Sequence, residues 1–252
     1  MMLYTYRLFF AFFLCISVIC TTVSAYAGTS VKKDMAIKQG DDVLKLADIF
    51  IPPDLKKQAV KYTRDLIKGH KPLHYDEGPI DRYGRLNSHI KTNNGLWLQE
   101  ELLKAGLAQV LITPDTKDQY ITPLYQAETY AKDLNLEVWS NPSSQIKNPF
   151  NIETYIGHFK IVQGTVLSHY ASYKNLYLNF GDNWKTDFTI MIPKAVIKTL
   201  RPPIITPENW TKAEVDIWAK NLIGKQVTVR GWIEDFNGPM VKLFHPKQLQ
   251  HN

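Results

Sequence analysis

Thr211-Lys212-Ala213-Glu214-Val215-Asp216-Ile217-Trp218-Ala219-Lys220-Asn221-Leu222-Ile223-Gly224-Lys225-Gln226-Val227-Thr228-Val229-Arg230-Gly231-Trp232-Ile233-Glu234 changes period in its middle, and that change decides the fold. Thr211 and Glu214 have the Ser/Thr-x-x-Glu spacing in which each side chain accepts the other residue's backbone N–H. Val215, Trp218, Ala219 and Leu222 then follow at helical spacing, and Gly224 closes the helix. From Gln226 the pattern alternates, with Val227, Val229, Gly231 and Ile233 inward and Thr228, Arg230 and Trp232 outward. Asn237-Gly238 sets a hairpin turn before a strand over 241–244. Upstream, 159–168, 176–180 and 188–192 are rich in β-branched and aromatic residues and read as strands. Three strands, a helix and a hairpin, in that order, predict an OB-fold barrel over residues 155–250.

The N-terminal half has a similar plan with additions. Stretches 35–38 and 43–46 flank Gln39-Gly40-Asp41-Asp42 as a hairpin, and Leu55, Ala59, Tyr62 and Leu66 mark one face of a helix over 55–68. Strands are expected over 73–75 and 85–90, and helices over 96–104 and 124–134. The fold class is therefore mainly β with helices (α+β), in two successive units. Asn141-Pro142-Ser143-Ser144-Gln145-Ile146-Lys147-Asn148-Pro149, polar and broken by prolines, reads as the start of a linker over 142–154. The first unit then covers 31–141.

With 44% hydrophobic and 21% charged residues among 252, the composition excludes a disordered, collagen-like or disulfide-stapled chain. Arg7, the apolar run from Leu8 to Cys20 and the small residues Ala25 and Ala27 have the pattern of a secretory signal peptide over 1–27. The run is shorter than the ~20 apolar residues a spanning helix needs, so no membrane span is expected after cleavage. Cys15 and Cys20, the 2 cysteines, fall inside that segment, which leaves a thiol-free exported protein, periplasmic or extracellular. Removing Arg7 from the 30 basic residues leaves 29 against 24 acidic ones, a net charge of +5. That excess suits a polyanion and also plain solubility.

Asp81-Arg82-Tyr83-Gly84-Arg85, Gly95-Leu96-Trp97-Leu98-Gln99-Glu100-Glu101-Leu102-Leu103-Lys104-Ala105-Gly106-Leu107-Ala108, Gln126-Ala127-Glu128 and Leu136-Glu137-Val138-Trp139-Ser140 together resemble the staphylococcal nuclease (thermonuclease-like) family, in the right order from Val43 to Ser140. The resemblance implies a five-stranded OB barrel with packed helices. It also implies phosphodiester hydrolysis, with calcium held by aspartates, a water-activating glutamate and two arginines that stabilise charge building on phosphorus. Arg85 matches one arginine and Lys45 falls near the other, offering charge without the bidentate fork. In Asp48-Ile49-Phe50-Ile51-Pro52-Pro53, however, Phe50 stands in the place of a metal aspartate and Pro53 in that of the glutamate. Asp54 takes the base's role only if the loop shifts by one residue, which Pro52-Pro53 opposes. Asp41 and Asp42 are the nearest candidates for the remaining calcium ligand, but read more readily as a turn than as a cation site.

The C-terminal strands resemble the OB-type module that follows nuclease domains in some secreted bacterial proteins. Tyr173, Tyr177, Phe180, Trp184 and Trp232, interleaved with Lys174, Lys185 and Arg230, read either as a stacking surface for unpaired bases or as ordinary barrel core. The seven histidines show no metal-ligand spacing. Two functional readings follow. One is an exported thermonuclease-like protein that binds DNA or RNA with a degenerate catalytic and calcium site. The other is a non-catalytic envelope binding or scaffold protein that retains the fold. The oligomeric state is not encoded in any motif.

Overall fold

The computed structural model of the protein describes residues 28–70, 73–76, 78–141, 146–183, 185–200 and 211–251. The expected signal peptide, Trp184 and the first residues of the expected linker lie outside the described residues. Among the described residues no helix is long and apolar enough to cross a membrane.

In the N-terminal half, β1 (Ser30–Val31), β2 (Ile37–Gln39), β3 (Asp42–Leu46) and β4 (Ile49–Phe50) precede helix α1 (Lys56–Leu66). There follow β5 (His74–Tyr75), β6 (Leu86–Ser88), β7 (Ile90–Lys91), α2 (Leu98–Lys104), β8 (Gln109–Val110) and α3 (Asp118–Asp133). The main sheet runs β1-β2-β3-β6, with β3 and β6 parallel, while β4 pairs β8 and β5 pairs β7. Val31, Ile37, Leu44 and Leu46 turn one face of that sheet into the core, against buried residues of α1 and α2. Helix α2 ends where the sequence requires. Gly106 takes φ 69°, and Leu107 N–H and Gly106 N–H bond the carbonyls of Leu102 and Leu103, both at 2.9 Å.

Helix α3 begins six residues before its expected start, and Pro123 lies inside it. A proline removes one i→i−4 bond, which disfavours it in a helix interior. Here the loss falls near the helix start, and buried Ile121 and Leu124 hold the early turns on the core.

The C-terminal half comprises β9 (Phe159–Thr165), β10 (Ser168–Ala171), β11 (Asn175–Asn179), β12 (Thr189–Pro193), α4 (Lys194–Leu200), α5 (Lys212–Lys220), β13 (Gln226–Trp232), β14 (Glu234–Asp235), β15 (Pro239–Lys242) and β16 (Leu249–His251). The capping box forms, with Glu214 N–H donating to Thr211 Oγ1 (3.2 Å) and Thr211 N–H to Glu214 Oε2 (2.8 Å). Strand β13 alternates as read, with Val227 and Val229 buried, and Arg230 is buried as well.

The expected closed second barrel requires correction. The described strands divide into a sheet β10-β11-β12-β15-β14 and a sheet β16-β13-β9. The chain crosses between the two sheets after β9, β12, β13 and β15. At the β9 and β13 corners Val166 N–H bonds Lys225 O (3.0 Å), Leu167 N–H bonds Asn179 O (2.9 Å) and Ile233 N–H bonds His158 O (2.9 Å). These bonds carry the β9–β13 and β10–β11 pairings just past the strand ends. Among the described residues, mixed sheets with five α-helices keep the class α+β.

The two halves touch. Ala131, Val138 and Trp139 of the first form one cluster with Phe159 and Ile161 of the second, and Phe50 and Leu55 pack against it.

Candidate functional site

The β3–β6 register places Lys45 directly opposite Asn87, and the β2–β3 register places Lys38 opposite Val43. Side chains alternate along a strand, so Lys38, Val43, Lys45 and Asn87 share the face turned away from the buried Leu44 and Leu46. Arg85, two residues before Asn87, follows the same alternation. The two candidate catalytic cations are therefore brought to one side of the main sheet.

Lys45 is exposed, whereas Arg85 is engaged. Its Nε and Nη2 both reach Asp81 Oδ2 at 2.8 Å, and Nη1 lies 3.8 Å from Asp34 Oδ2. The Asp81 carboxylate also accepts the N–H groups of Tyr83 (2.9 Å) and Arg85 (3.0 Å), which closes the Asp-x-Tyr-Gly-Arg turn. Partial desolvation opposes ionisation of Asp81, but the Arg85 guanidinium and these N–H donors outweigh it and hold its pKa at about 2. Arg85 also lies over the Tyr83 ring at 5.1 Å. To meet a phosphate, its fork must exchange Asp81 for the ligand.

The expected acidic residues do not join this face. Asp54 accepts a 3.1 Å bond from Asn141 Nδ2. It also lies close enough to Lys160 to oppose the lowering of that ammonium's pKa by burial and by Lys147. Asp42 Oδ2 accepts a hydrogen bond from the Tyr75 hydroxyl, and this bond raises the Tyr75 pKa. Asp41 is exposed in the turn. Phe50 packs on Phe159 (4.8 Å between centroids) and edge-on to Trp232 (5.9 Å). Pro53 is exposed. Among the described residues no group of three or more His, Cys, Asp or Glu side chains is placed to hold a metal ion. The donor set therefore does not fit a calcium site, since an oxygen-ligated cation of that size takes 6–8 ligands.

Asp48, in the same loop, is buried at φ 59° and directed elsewhere. Its carboxylate accepts His89 Nε2–H (2.9 Å) and Thr116 Oγ1–H (2.6 Å), and the His89 ring lies 3.6 Å from the Tyr120 ring. This polar network ties β4, β7 and α3 together.

In the C-terminal half, Arg230 departs from its expected role as a nucleic-acid contact. It lies on the outward side of β13, as its position predicts, but that side is covered by the first half. Its guanidinium binds Glu128 of α3 bidentately at 3.0 and 2.7 Å and Val110 O at 3.0 Å, over the Tyr125 ring at 4.5 Å. Burial alone would lower the Arg230 pKa, but Glu128 outweighs it and raises it, while burial first and Glu128 after it push Tyr125 up to about 12. Glu128 Oε1 also accepts Val110 N–H at 2.7 Å. The local sequence marked Glu128 within Gln126-Ala127-Glu128; nothing local to it indicated a partner 102 residues away.

Tyr173 is 81% exposed in the β10–β11 turn beside Lys174, with the Lys194 ammonium 4.9 Å from its ring. Lys185 is exposed on the 181–187 loop. Phe180 is core, packed on Phe188, and Trp232 edges the junction with Phe50. Sequence reasoning passed over Tyr170 and Phe236, both more than half exposed, although alternation along β10 signals the first.

Residues 54–141 match the family of staphylococcal nuclease homologues. The SPbeta prophage-derived endonuclease YokF of Bacillus subtilis (strain 168) is 33% identical over 97 residues, 38% of this chain and 32% of that protein. Endonuclease YncB of the same organism is 33% identical over 97 residues, covering 38% of this chain and 46% of that protein. The matched stretch spans less than half the length of either relative. Residues 54–141 thus resemble a staphylococcal nuclease domain, and the chain resembles endonucleases over that stretch.

Proposed function

We propose that this is an exported nucleic-acid-binding protein built on a staphylococcal nuclease-like domain, in which calcium-dependent cleavage has fallen to background. The observation that carries the reading is the separation of charges. Lys45 and Arg85 share one sheet face, while Phe50 and Pro53 contribute no carboxylate, Asp42 is held by Tyr75 and Asp54 by Asn141. Cations without a base or metal cradle support capture of a phosphodiester without its hydrolysis. General acid–base help is typically worth about 10² to 10⁴ in rate, so losing it together with the metal leaves little chemistry. The apolar run and small residues of 1–27 support export to the periplasm or beyond, and the mass of envelope-fraction protein starting at Tyr26 or Gly28 tests that part.

The cleavage test compares the protein with Arg85→Ala on single- and double-stranded DNA, with calcium and with chelator. Background cleavage by both proteins is expected. Calcium-dependent turnover that Arg85→Ala abolishes would refute the loss of catalysis. The packing of Phe50 into the junction between halves also favours a second reading, a non-catalytic envelope scaffold. That reading is preferred if neither DNA nor RNA binds at low salt.

A further inference from the structure

The sheet face formed by β10, β11, β12 and β15 carries a groove of about 650 Å³, lined chiefly by Tyr170, Tyr177, Asn179, Thr189, Phe236 and Met240. This size is typical of a ligand site. Register explains the assembly: Tyr170 stands opposite Tyr177, Asn179 opposite Thr189, and Thr189 opposite Met240. The two tyrosine rings are nearly parallel, 25° apart in plane with centroids at 6.2 Å. Tyr170 is 58% and Phe236 60% exposed, so two large aromatic faces stand in water at the groove. At its floor Thr189 Oγ1–H donates to Asn179 Oδ1 and Asn179 Nδ2 donates to Ser168 Oγ, both at 3.2 Å. That leaves Asn179 a second amide hydrogen for a ligand.

Charge is distributed unevenly around the groove. The Lys212 ammonium lies 5.7 Å from the Tyr170 ring, and Lys194 and Lys174 flank Tyr173 at the adjoining turn. At the far edge, Glu234 and Asp235 of β14 stand opposite Met240 and Pro239. His169 Nε2 bonds Asp216 Oδ1 at 2.9 Å, which pins α5, and with it Lys212, beside β10.

We propose that this groove is a second site, for unpaired nucleic acid, whose bases stack on Tyr170, Tyr177 and Phe236 and whose phosphates follow Lys212, Lys194 and Lys174. Stacking on an aromatic face needs an unpaired base, whereas a duplex keeps its bases occupied with each other. The lysines beside the rings favour a polyanion over a neutral glycan, and the acidic β14 edge directs the backbone to the β10–β11 side. The inference rests on the nucleic-acid reading above but concerns a different surface.

Fluorescence anisotropy of the purified protein with a labelled 12-nucleotide oligodeoxythymidylate and a 12-base-pair duplex tests it. The single strand is expected to bind more tightly than the duplex, with affinity falling steeply with salt. Tyr170→Ala and Phe236→Ala are each expected to weaken it roughly 5- to 100-fold, the loss of one stacked base, with unchanged thermal melting. Lys212→Glu should weaken binding and Glu234→Gln tighten it. Unchanged affinity in both aromatic variants, with binding lost in Lys45→Ala/Arg85→Ala, would overturn the groove and leave the nucleic-acid reading standing on the other face. No oligonucleotide binding by the wild type overturns both. Saturable binding of an N-acetylglucosamine hexamer that Tyr170→Ala removes, without oligonucleotide binding, would reassign the groove to glycans.

Discussion

Arg230→Met is expected to destabilise the protein by about 3 to 5 kcal/mol, the usual loss when one member of a buried ion pair is removed. The structure places this pair at the severe end of the possibilities. The side chains of Arg230 and Glu128 are 5% and 6% exposed, the contact is bidentate, and Arg230 also serves the Val110 carbonyl. Methionine fills much of the space but leaves the Glu128 carboxylate buried, with Val110 N–H still donating to it. At ~2 to 4 °C per kcal/mol for a chain of this size, the melting temperature should drop by about 10 °C. Urea titrations at pH 7 measure the loss directly. Glu128→Gln/Arg230→Met should recover most of the loss, because no unpaired charge is then buried. A single-variant loss under about 1 kcal/mol, or a double variant worse than Arg230→Met alone, would refute the claim that this pair joins the two halves.

Two further predictions concern the first half. The Asp81 pKa is depressed to about 2, so its stabilising contribution is present above the unfolded value near 3.9 and is lost as pH falls through about 2. Asp81→Asn should therefore be less stable than wild type at pH 6 and equal to it below pH 2 in denaturant titrations; a constant difference across that window would contradict the Arg85 pairing. Gly106→Ala should cost roughly 1 to 3 kcal/mol by calorimetry, since φ is 69° and a Cβ there would meet Leu136 O at 2.5 Å.

Much of the fold is local in origin and was legible as such. The Thr211–Glu214 box, the Gly106 stop and the β13 alternation involve groups a few residues apart, so spacing alone specifies them. Two outcomes resisted local reading. Helix α3 runs through Pro123 because buried Ile121 and Leu124 outweigh one missing hydrogen bond, which a breaker rule does not weigh. The second half divides into two sheets rather than one closed barrel, which strand order does not reveal. At the candidate site, position alone marked Phe50 and Pro53 as departures from the family pattern and Arg85 as a match to it. That Asp81 occupies the Arg85 fork and Tyr75 the Asp42 carboxylate required the folded chain.

Arg230 marks the boundary between the two kinds of information. Alternation correctly assigns it to the outer side of β13, where a guanidinium normally meets water or a polyanion. Whether that side is solvent or interface depends on what the other half presents there. Glu128, the Tyr125 ring and the Val110 carbonyl take the place of water around the charge. Sequence by itself determined the capping box, the Gly106 stop, the β13 alternation and the nuclease-like segment, because each is a matter of residue type and short-range spacing. Only the tertiary structure decided which charges remain available to a ligand, because desolvation and pairing depend on groups brought together from distant parts of the chain.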